Sequence, residues 1–241
     1  MTRDHTERML RAMGAEVTVD AGTISLGGGQ ELRGGPIRVP GDLSSATFII
    51  LGTLLSQDAE IILENVGINP TRTGVIAILD GMGADIRLEN RRQFGEEPVA
   101  DVRVRASRLV GGDVDPALVS LAIDEFPALF VAAAAAEGET RFAGLEELRV
   151  KESDRISAMA DGLRRLGIAV EERPDGATVQ GGRFGGGVVD SYHDHRVAMS
   201  LAMAATIADD EVVIRGVDNV NTSFPGFQAC VAGLGANVEL V

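Results

Sequence analysis

The segment Arg149–Arg155 (RVKESDR) holds the side chains best suited to chemistry, with five charges in seven residues. It directly precedes apolar residues at helical spacing, which places Lys151 and Glu152 at a helix start. A lysine beside a glutamate supplies a proton donor and a proton acceptor. Arg155 can hold a carboxylate or a phosphate through two parallel hydrogen bonds. The segment therefore predicts an acid/base site that binds an anion, although a solvated surface loop would have the same composition.

Two more charged residues precede strongly apolar stretches. Asp124 comes shortly before the run from Leu129 to Ala136, and both a helix N-cap and a proton acceptor are open for it. Arg196 begins a nearly apolar segment, where arginine is seldom placed for packing. We interpret its neighbour His195 as structural, because no second histidine stands at metal-ligand spacing, and we predict no bound metal.

These residues belong to a repeat that occurs three times. Asp42, Asp124 and Asp194 each lead into an apolar helix, and roughly 30 residues later comes a polar segment: Asn69–Thr73, Val150–Arg155 and Asn221–Pro225. Each polar segment precedes a second amphipathic helix that ends at a glycine and is followed by an alternating strand. The closing glycines are Gly83, Gly167 and Gly235. The pattern predicts strand and helix, twice over, in each copy.

Both ends of the chain fall in the middle of this repeat. Arg3 stands as far before Gly14 as Arg72 does before Gly83, and the first helical stripe would consist of Thr6, Met9, Leu10 and Met13. After Asp194 too few residues remain for a final hairpin. Such a chain leaves strand edges and apolar faces uncovered, which predicts a fragment of a larger protein.

Composition limits the function classes. The 241 residues are 45% hydrophobic and carry 22 basic against 36 acidic side chains, a net charge of −14. This surface repels nucleic acid and anionic membranes, so an anionic ligand needs a local basic pocket. The apolar runs are shorter than the roughly 20 residues of a membrane span. We therefore predict a cytoplasmic protein with no nucleic-acid or membrane partner.

Glycines and the single cysteine carry weaker signals. Residues 27–35 and 181–187 are interpreted as turns between hairpin strands, the first near a domain crossing at about Val39. A phosphate-binding loop is the alternative, but both stretches lack its Lys-Ser or Lys-Thr ending. Cys230 lies on the apolar stripe of the last helix, and we predict that it belongs to the core.

Four segments together resemble the 5-enolpyruvylshikimate-3-phosphate synthase family (3-phosphoshikimate 1-carboxyvinyltransferase): Thr2–Glu7, Asn69–Gly74, Leu148–Arg155 and Asp194–Arg196. The resemblance covers essentially the whole chain but only the carboxyl-terminal part of a family member. It implies transfer of the enolpyruvyl group of phosphoenolpyruvate to the 5-hydroxyl of shikimate 3-phosphate, with release of phosphate. This is a step of chorismate and aromatic amino acid biosynthesis, and it uses no cofactor.

The resemblance also implies an architecture of the α/β class. Three pseudo-symmetric β-α-β-α-β-β repeats, with buried helices and outer sheets, would occupy residues 39–110, 111–190 and 191–241, the last one incomplete. Residues 1–38 would be a remnant of a second, similar domain. The family binds its substrates between the two domains, so the missing amino-terminal domain is an expected partner and the chain alone is expected to be inactive.

Roles follow residue by residue from the resemblance. Asp124 matches the aspartate that contacts the 5-hydroxyl, and Lys151 and Glu152 match the pair that transfers protons. Arg155 and Arg196 match arginines that bind phosphoenolpyruvate. Asp124 and Lys151 therefore count among both the catalytic and the substrate-binding residues.

Three other positions complete or limit this comparison. Arg3 matches an arginine near the 3-phosphate in one branch of the family. Glu147 and Thr222 stand where the family has a substrate-binding asparagine and, in another branch, a lysine, so those two contacts do not carry over. Two alternatives stay open: a relative that acts on UDP-N-acetylglucosamine, which does not share the Lys-Glu-Ser-Asp-Arg run, and a non-catalytic scaffold built from the same repeat.

Overall fold

A computed structural model describes residues 2–239. The chain begins with a helix and an antiparallel hairpin: α1 (His5–Ala12), β1 (Val17–Asp20) and β2 (Thr23–Leu26). The turn of this hairpin is Ala21-Gly22, so the glycines predicted to form a hairpin turn at residues 27–35 instead follow its second strand. Every residue from 27, directly after β2, to 39 is exposed.

The first copy of the repeat builds a three-stranded antiparallel sheet over two helices. Its elements are α2 (Leu43–Leu55), β3 (Glu60–Gly67), α3 (Gly74–Gly81), β4 (Asp85–Phe94) and β5 (Glu97–Arg105). The strand order is β3-β5-β4. An isolated parallel bridge between Gly41 and Val66 stands in the place of the unit's first strand.

The second copy has the same order of elements, with one additional short helix before its apolar helix. Its elements are the additional helix α4 (Val119–Ala122), the apolar helix α5 (Phe126–Ala135), β6 (Glu139–Phe142), α6 (Arg155–Arg165), β7 (Val170–Arg173) and β8 (Gly176–Gln180). Its antiparallel sheet has the order β6-β8-β7, which repeats the topology of the first copy. Short parallel bridges, from Val110 to Glu137 and from Asp113 to Arg141, again precede the first helix.

In the third copy two parallel strands enclose a helix. The elements are β9 (Gly187–Asp190), α7 (His195–Ala205), β10 (Val212–Arg215), α8 (Val220–Ser223) and α9 (Phe227–Gly233). The glycines from 181 to 187 lead from β8 into β9, which belong to different sheets, so they do not form the predicted hairpin turn. The pairing with β10 groups β9 with the third copy. The molecule is thus a mixed α/β fold of repeated units, as the sequence predicts.

The core lies where α2, α5 and α7 pack against one another. A helix that is apolar on all faces must be buried on all faces, and nearly every residue of these three is. Gly52 and Gly162 allow the close approach to α7: a Cβ atom at either position would lie 2.9 Å from Met203 or Leu201. The sheets cover this centre from outside, so the central helices fix the positions of whatever lies at their ends.

Most of the local predictions are confirmed. Gly83, Gly167 and Gly235 adopt φ angles of 92°, 89° and 99°, the left-handed conformation that ends a helix. The predicted apolar stripes of α3 and α6 are buried. The stripe of α1 is not, since Met9 is 50% exposed and the described residues place no layer over it.

The prediction that Cys230 belongs to the core is wrong, because its side chain is exposed. Helix α9 has only seven residues and buries Phe227 and Val231, one turn apart on a narrow strip. Cys230 lies beside that strip.

One helical segment, Pro116–Ala135, is long and apolar enough to cross a membrane by length and composition. Counting only uninterrupted apolar runs in the sequence misses it, because Asp124 and Glu125 stand within it. In the fold 67% of its apolar window is buried, as in the core helix of a globular protein.

Candidate active site

The amino-terminal ends of the three central helices meet at one place. Asp42 caps α2 by accepting the backbone N–H groups of Ser44 and Ser45 at 3.2 and 2.9 Å. Asp194 caps α7 by accepting the N–H of Arg196 at 2.9 Å and that of Val197 at 3.4 Å. Both predicted helix starts are confirmed. Helix amino termini carry partial positive charge, so their meeting point favours anions.

Asp124 does not cap its helix. It lies in a short 3-10 turn before α5, and its carboxylate accepts no backbone N–H from the described residues. Instead it faces cations: Arg3 donates to it, and nitrogens of Lys151, Arg155 and Arg72 lie 3.8, 3.7 and 3.9 Å from its oxygens. The N-cap interpretation is therefore wrong, and the carboxylate is left available to the site.

These cations decide the ionisation of Asp124. Burial raises the pKa of its carboxyl, but the charges of Arg196, Arg3 and Lys151 together outweigh burial and lower it below the ordinary value. Asp124 is therefore a carboxylate at neutral pH and able to accept a hydrogen bond or a proton.

Arg155 is the most buried cation of the group, with 1% of its side chain exposed. Its Nε donates to Asp194 at 2.8 Å and its Nη2 to Glu152 at 2.5 Å. Its Nη1 is buried, finds no hydrogen-bond partner among the described residues, and lies 3.7 Å from Asp124. A buried donor without a partner is costly. An anion bound next to Asp124 would satisfy it.

Lys151 is placed between two carboxylates. Its Nζ lies 2.5 Å from Glu147 and 3.8 Å from Asp124. The side chain of Glu152, the next residue, is 51% exposed and is linked to the other site residues by its ion pair with Arg155. Lys151 and Glu152, the acid/base pair predicted from the sequence, thus lie at the solvent-facing edge of the group of cations around Asp124, where a ligand can reach them.

Arg196 connects α7 to the start of α5. Its Nη1 donates to the backbone oxygen of Asp124 at 3.0 Å, and most of its side chain is buried. Burial, followed by the charge of Arg196, lowers the pKa of His195, so this histidine is neutral at pH 7. All six predicted site residues are therefore brought together: Arg3, Asp124, Lys151, Glu152, Arg155 and Arg196.

Three further side chains, Ser44, Arg72 and Glu125, belong to this site and were not among the predicted residues. Arg72 donates to Ser44 and, at 3.2 Å, to Glu125, which itself accepts from Ser44. Burial raises the pKa of Glu125 more than Ser44, Arg72 and Arg196 lower it. Two signals were available: an arginine in the first polar segment, and two adjacent carboxylates within an apolar stretch. Residues 2–239, the site included, contain no group of three His, Cys, Asp or Glu side chains placed to hold a metal ion.

The fold of repeated βα units is shared with an enolpyruvyl transferase of known structure. The enolpyruvyl transferase NikO from Streptomyces tendae superposes with a TM-score of 0.76 over 99% of this chain and 54% of that one, at 19% identity, which shows a shared fold. The chain belongs to the EPSP synthase (3-phosphoshikimate 1-carboxyvinyltransferase) family, whose model matches residues 1–230. The resemblance of the sequence motifs is thereby confirmed.

Individual relatives agree. The EPSP synthase from Acinetobacter baumannii superposes with a TM-score of 0.96 at 50% identity, covering 99% of this chain and 56% of that one. Curated relatives named 3-phosphoshikimate 1-carboxyvinyltransferase are 52% identical in Magnetococcus marinus, over 99% of this chain, and 56% identical in Alkalilimnicola ehrlichii, over 94%. The matches cover 54% and 51% of those proteins, so the chain spans about half the length of the curated relatives it matches.

Proposed function

We propose that this chain supplies the proton-transfer and phosphoenolpyruvate-binding half of an active site. The reaction transfers the enolpyruvyl group of phosphoenolpyruvate to the 5-hydroxyl of shikimate 3-phosphate. The proposal depends on one observation above all: Asp124 is an ionised carboxylate surrounded by Arg3, Lys151 and Arg155, one of which keeps a buried donor unpaired. Family membership supports the same reaction.

The chemistry assigns a role to each group. The 5-hydroxyl oxygen forms a bond to C2 of phosphoenolpyruvate while Asp124 takes up the hydroxyl proton, which later leaves with the phosphate. The methylene C3 gains a proton, and a tetrahedral intermediate results. The bond from C2 to the phosphate oxygen then breaks, C3 loses a proton, and phosphate leaves. Lys151 and Glu152 exchange the protons at C3, and Arg155 and Arg196 stabilise the carboxylate and the departing phosphate.

The activity would need a second domain. Residues 1–38 then belong with that domain, residues 39–241 form the domain of three repeats, and shikimate 3-phosphate lies between the two. Five exposed apolar side chains in the first segment support this division, because a large exposed apolar surface indicates a contact with further protein: Met9, Ile24, Leu26, Leu32 and Ile37. The biosynthetic role and a cytoplasmic location are part of the same proposal.

Phosphate release from phosphoenolpyruvate and shikimate 3-phosphate tests this function. The chain is assayed alone and mixed with the amino-terminal half of the Magnetococcus marinus relative. We expect activity only in the mixture, and a loss of two or more orders of magnitude with Glu152→Ala, as expected for a group that transfers protons. An Asp209→Asn variant, altered at the other end of α7, is the matched control.

The outcomes separate the alternatives. Turnover by the chain alone would contradict the need for a second domain. Normal turnover of Glu152→Ala in an active mixture would contradict the catalytic assignment. A mixture that neither turns over nor binds phosphoenolpyruvate would favour the scaffold.

A further inference from the structure

We infer that Glu125 is a positioning residue that holds the guanidinium groups of Arg72 and Arg196 in the arrangement that receives phosphoenolpyruvate. The inference deepens the proposed function and rests on it. Glu125 is not itself expected to touch substrate; it acts through the two arginines.

The contacts of Glu125 come from separate parts of the fold. Its Oε1 lies 3.2 Å from Nη2 of Arg72, which precedes α3, and 3.8 Å from Nη1 of Arg196, at the start of α7. The hydroxyl of Ser44, at the start of α2, donates to the same oxygen. One carboxylate oxygen thereby joins groups from all three copies of the repeat.

The fold alone does not explain a carboxylate at this place. Only 1% of the Glu125 side chain is exposed, and a buried ion pair is commonly no more stabilising than apolar side chains of similar size. Glu125 is also next to Asp124, a second negative charge. What the carboxylate does provide is geometry, because charge-assisted hydrogen bonds fix the orientation of a planar guanidinium.

Removing the charge of Glu125 has two opposite effects on the affinity for phosphoenolpyruvate. If Glu125 were only a negative charge near an anion site, neutralising it would strengthen the binding of phosphoenolpyruvate. If it positions Arg72 and Arg196, neutralising it frees both to turn towards Asp124, and binding weakens. Contacts to a buried charged partner usually outweigh a general change in potential, so we expect weakening.

The test is Glu125→Gln, which keeps the shape of the side chain and removes its charge. In the mixture with the relative's amino-terminal half, we expect the KM for phosphoenolpyruvate to rise about tenfold or more, with the KM for shikimate 3-phosphate nearly unchanged. Calorimetric titration of phosphoenolpyruvate into the same mixture measures the affinity independently of turnover. Asp209→Asn, which removes the carboxylate that pairs with Arg183 at 2.9 Å, is the matched control and should change neither KM.

Further variants keep the test decisive if Glu125→Gln does not fold. Glu125→Asp retains the charge and should recover part of the affinity. Ser44→Ala removes only the hydroxyl that donates to Glu125 and should raise the same KM by a smaller factor.

The outcomes distinguish this inference from the proposed function. An unchanged or lower KM for phosphoenolpyruvate in folded Glu125→Gln would overturn the inference and leave the function standing. A fall in kcat alone, in proportion to the folded fraction, would mean a purely structural residue and would also overturn it. Absence of turnover, with phosphoenolpyruvate binding that weakens in Glu125→Gln, would sink the function and support the inference. Absence of both turnover and binding would overturn both.

Discussion

The second copy of the repeat treats its helix-start carboxylate differently from the first and third. Asp42 and Asp194 accept backbone N–H groups and cap α2 and α7. Asp124, which the sequence aligns with them, faces Arg3 and Lys151 instead. Helix α5 does not need that cap, because it continues from a 3-10 turn and has a proline in its first turn. A position that caps a helix in the first and third copies is thus left available to the site in the second copy.

The polar segments of the three copies differ in the number of charged residues they carry. Asn221–Pro225 in the third copy carries no charge, and Asn69–Thr73 in the first carries only Arg72. Val150–Arg155 in the second carries four charges and supplies Lys151, Glu152 and Arg155 to the site. The three copies share a scaffold, and the second provides most of the side chains of the proposed site.

The largest expected effect separates the two uses of the helix-start carboxylate. Asp124→Asn removes the proton acceptor and should lower kcat of the mixture by about 10²- to 10⁴-fold. Asp42→Asn, at the equivalent position, can still cap its helix and should leave kcat unchanged. Phosphate release measures both. Similar losses in the two variants would mean that the carboxylates have one shared role.

Asp194 combines a cap with a buried ion pair, so its loss should cost the most stability. Asp194→Asn leaves the guanidinium of Arg155 buried without its partner, and we expect the free energy of unfolding to fall by about 3–5 kcal/mol. Urea unfolding at pH 7 measures this. A loss below about 1 kcal/mol would contradict the pairing.

The same variant carries a pH dependence. Burial raises the pKa of Asp194, but the hydrogen bond and charge of Arg155 outweigh it, and the folded-state pKa lies below the ordinary value of 3.8. A lowered pKa stabilises the fold above that ordinary value, and the contribution is lost as the pH falls through the folded-state pKa. The stability difference between the unaltered chain and Asp194→Asn should therefore be constant near neutrality and shrink below about pH 4. A constant difference down to pH 2 would contradict this.

Arg196→Ala tests the anion site while leaving the side chains of Asp124, Lys151 and Glu152 in place. Removing this guanidinium should weaken phosphoenolpyruvate binding by about 10²-fold, the loss expected for one charged contact to a substrate anion. Calorimetric titration of the mixture measures it, and Arg183→Ala, at the opposite end of α7, is the matched control. Equal affinities would remove Arg196 from the site.

The smallest effect concerns a cap alone. Asp42→Ala should lower the free energy of unfolding by about 1 kcal/mol, since the bonds to two backbone N–H groups and to the exposed hydroxyl of Ser45 are lost but no ion pair is. Thermal unfolding, compared with Asp194→Asn, measures the difference. If both variants cost the same, the ion pair of Asp194 with Arg155 contributes nothing.

Much of the site could be predicted because its residues break the local pattern. Lys151, Glu152 and Arg155 concentrate charge where the other copies have little, and Arg196 interrupts an apolar helix. The part that could not be predicted depends on packing between copies. The sequence around Asp124 does not distinguish a helix cap from a carboxylate that faces cations, because both roles place a carboxylate at a helix start.

In the fold, too, local features could be predicted and contacts between distant residues could not. Helical spacing and closing glycines specified the helices of each copy, since these are local signals. Cys230 satisfied the same spacing yet is exposed, because spacing marks one face of a helix and says nothing of what covers it. The role of Glu125 was missed for a similar reason: its partners Ser44 and Arg196 are distant in sequence.

The network around Glu125 has a consequence for how the molecule should lose its affinity on heating. Ser44, Glu125 and Arg196 come from three different copies, so opening any one copy breaks the network that we infer to position the arginines. In other proteins, local unfolding often inactivates a site at a lower temperature than the one at which the whole molecule unfolds. Here binding and global structure should disappear in one cooperative transition, because the network around Glu125 is complete only when all three copies are folded.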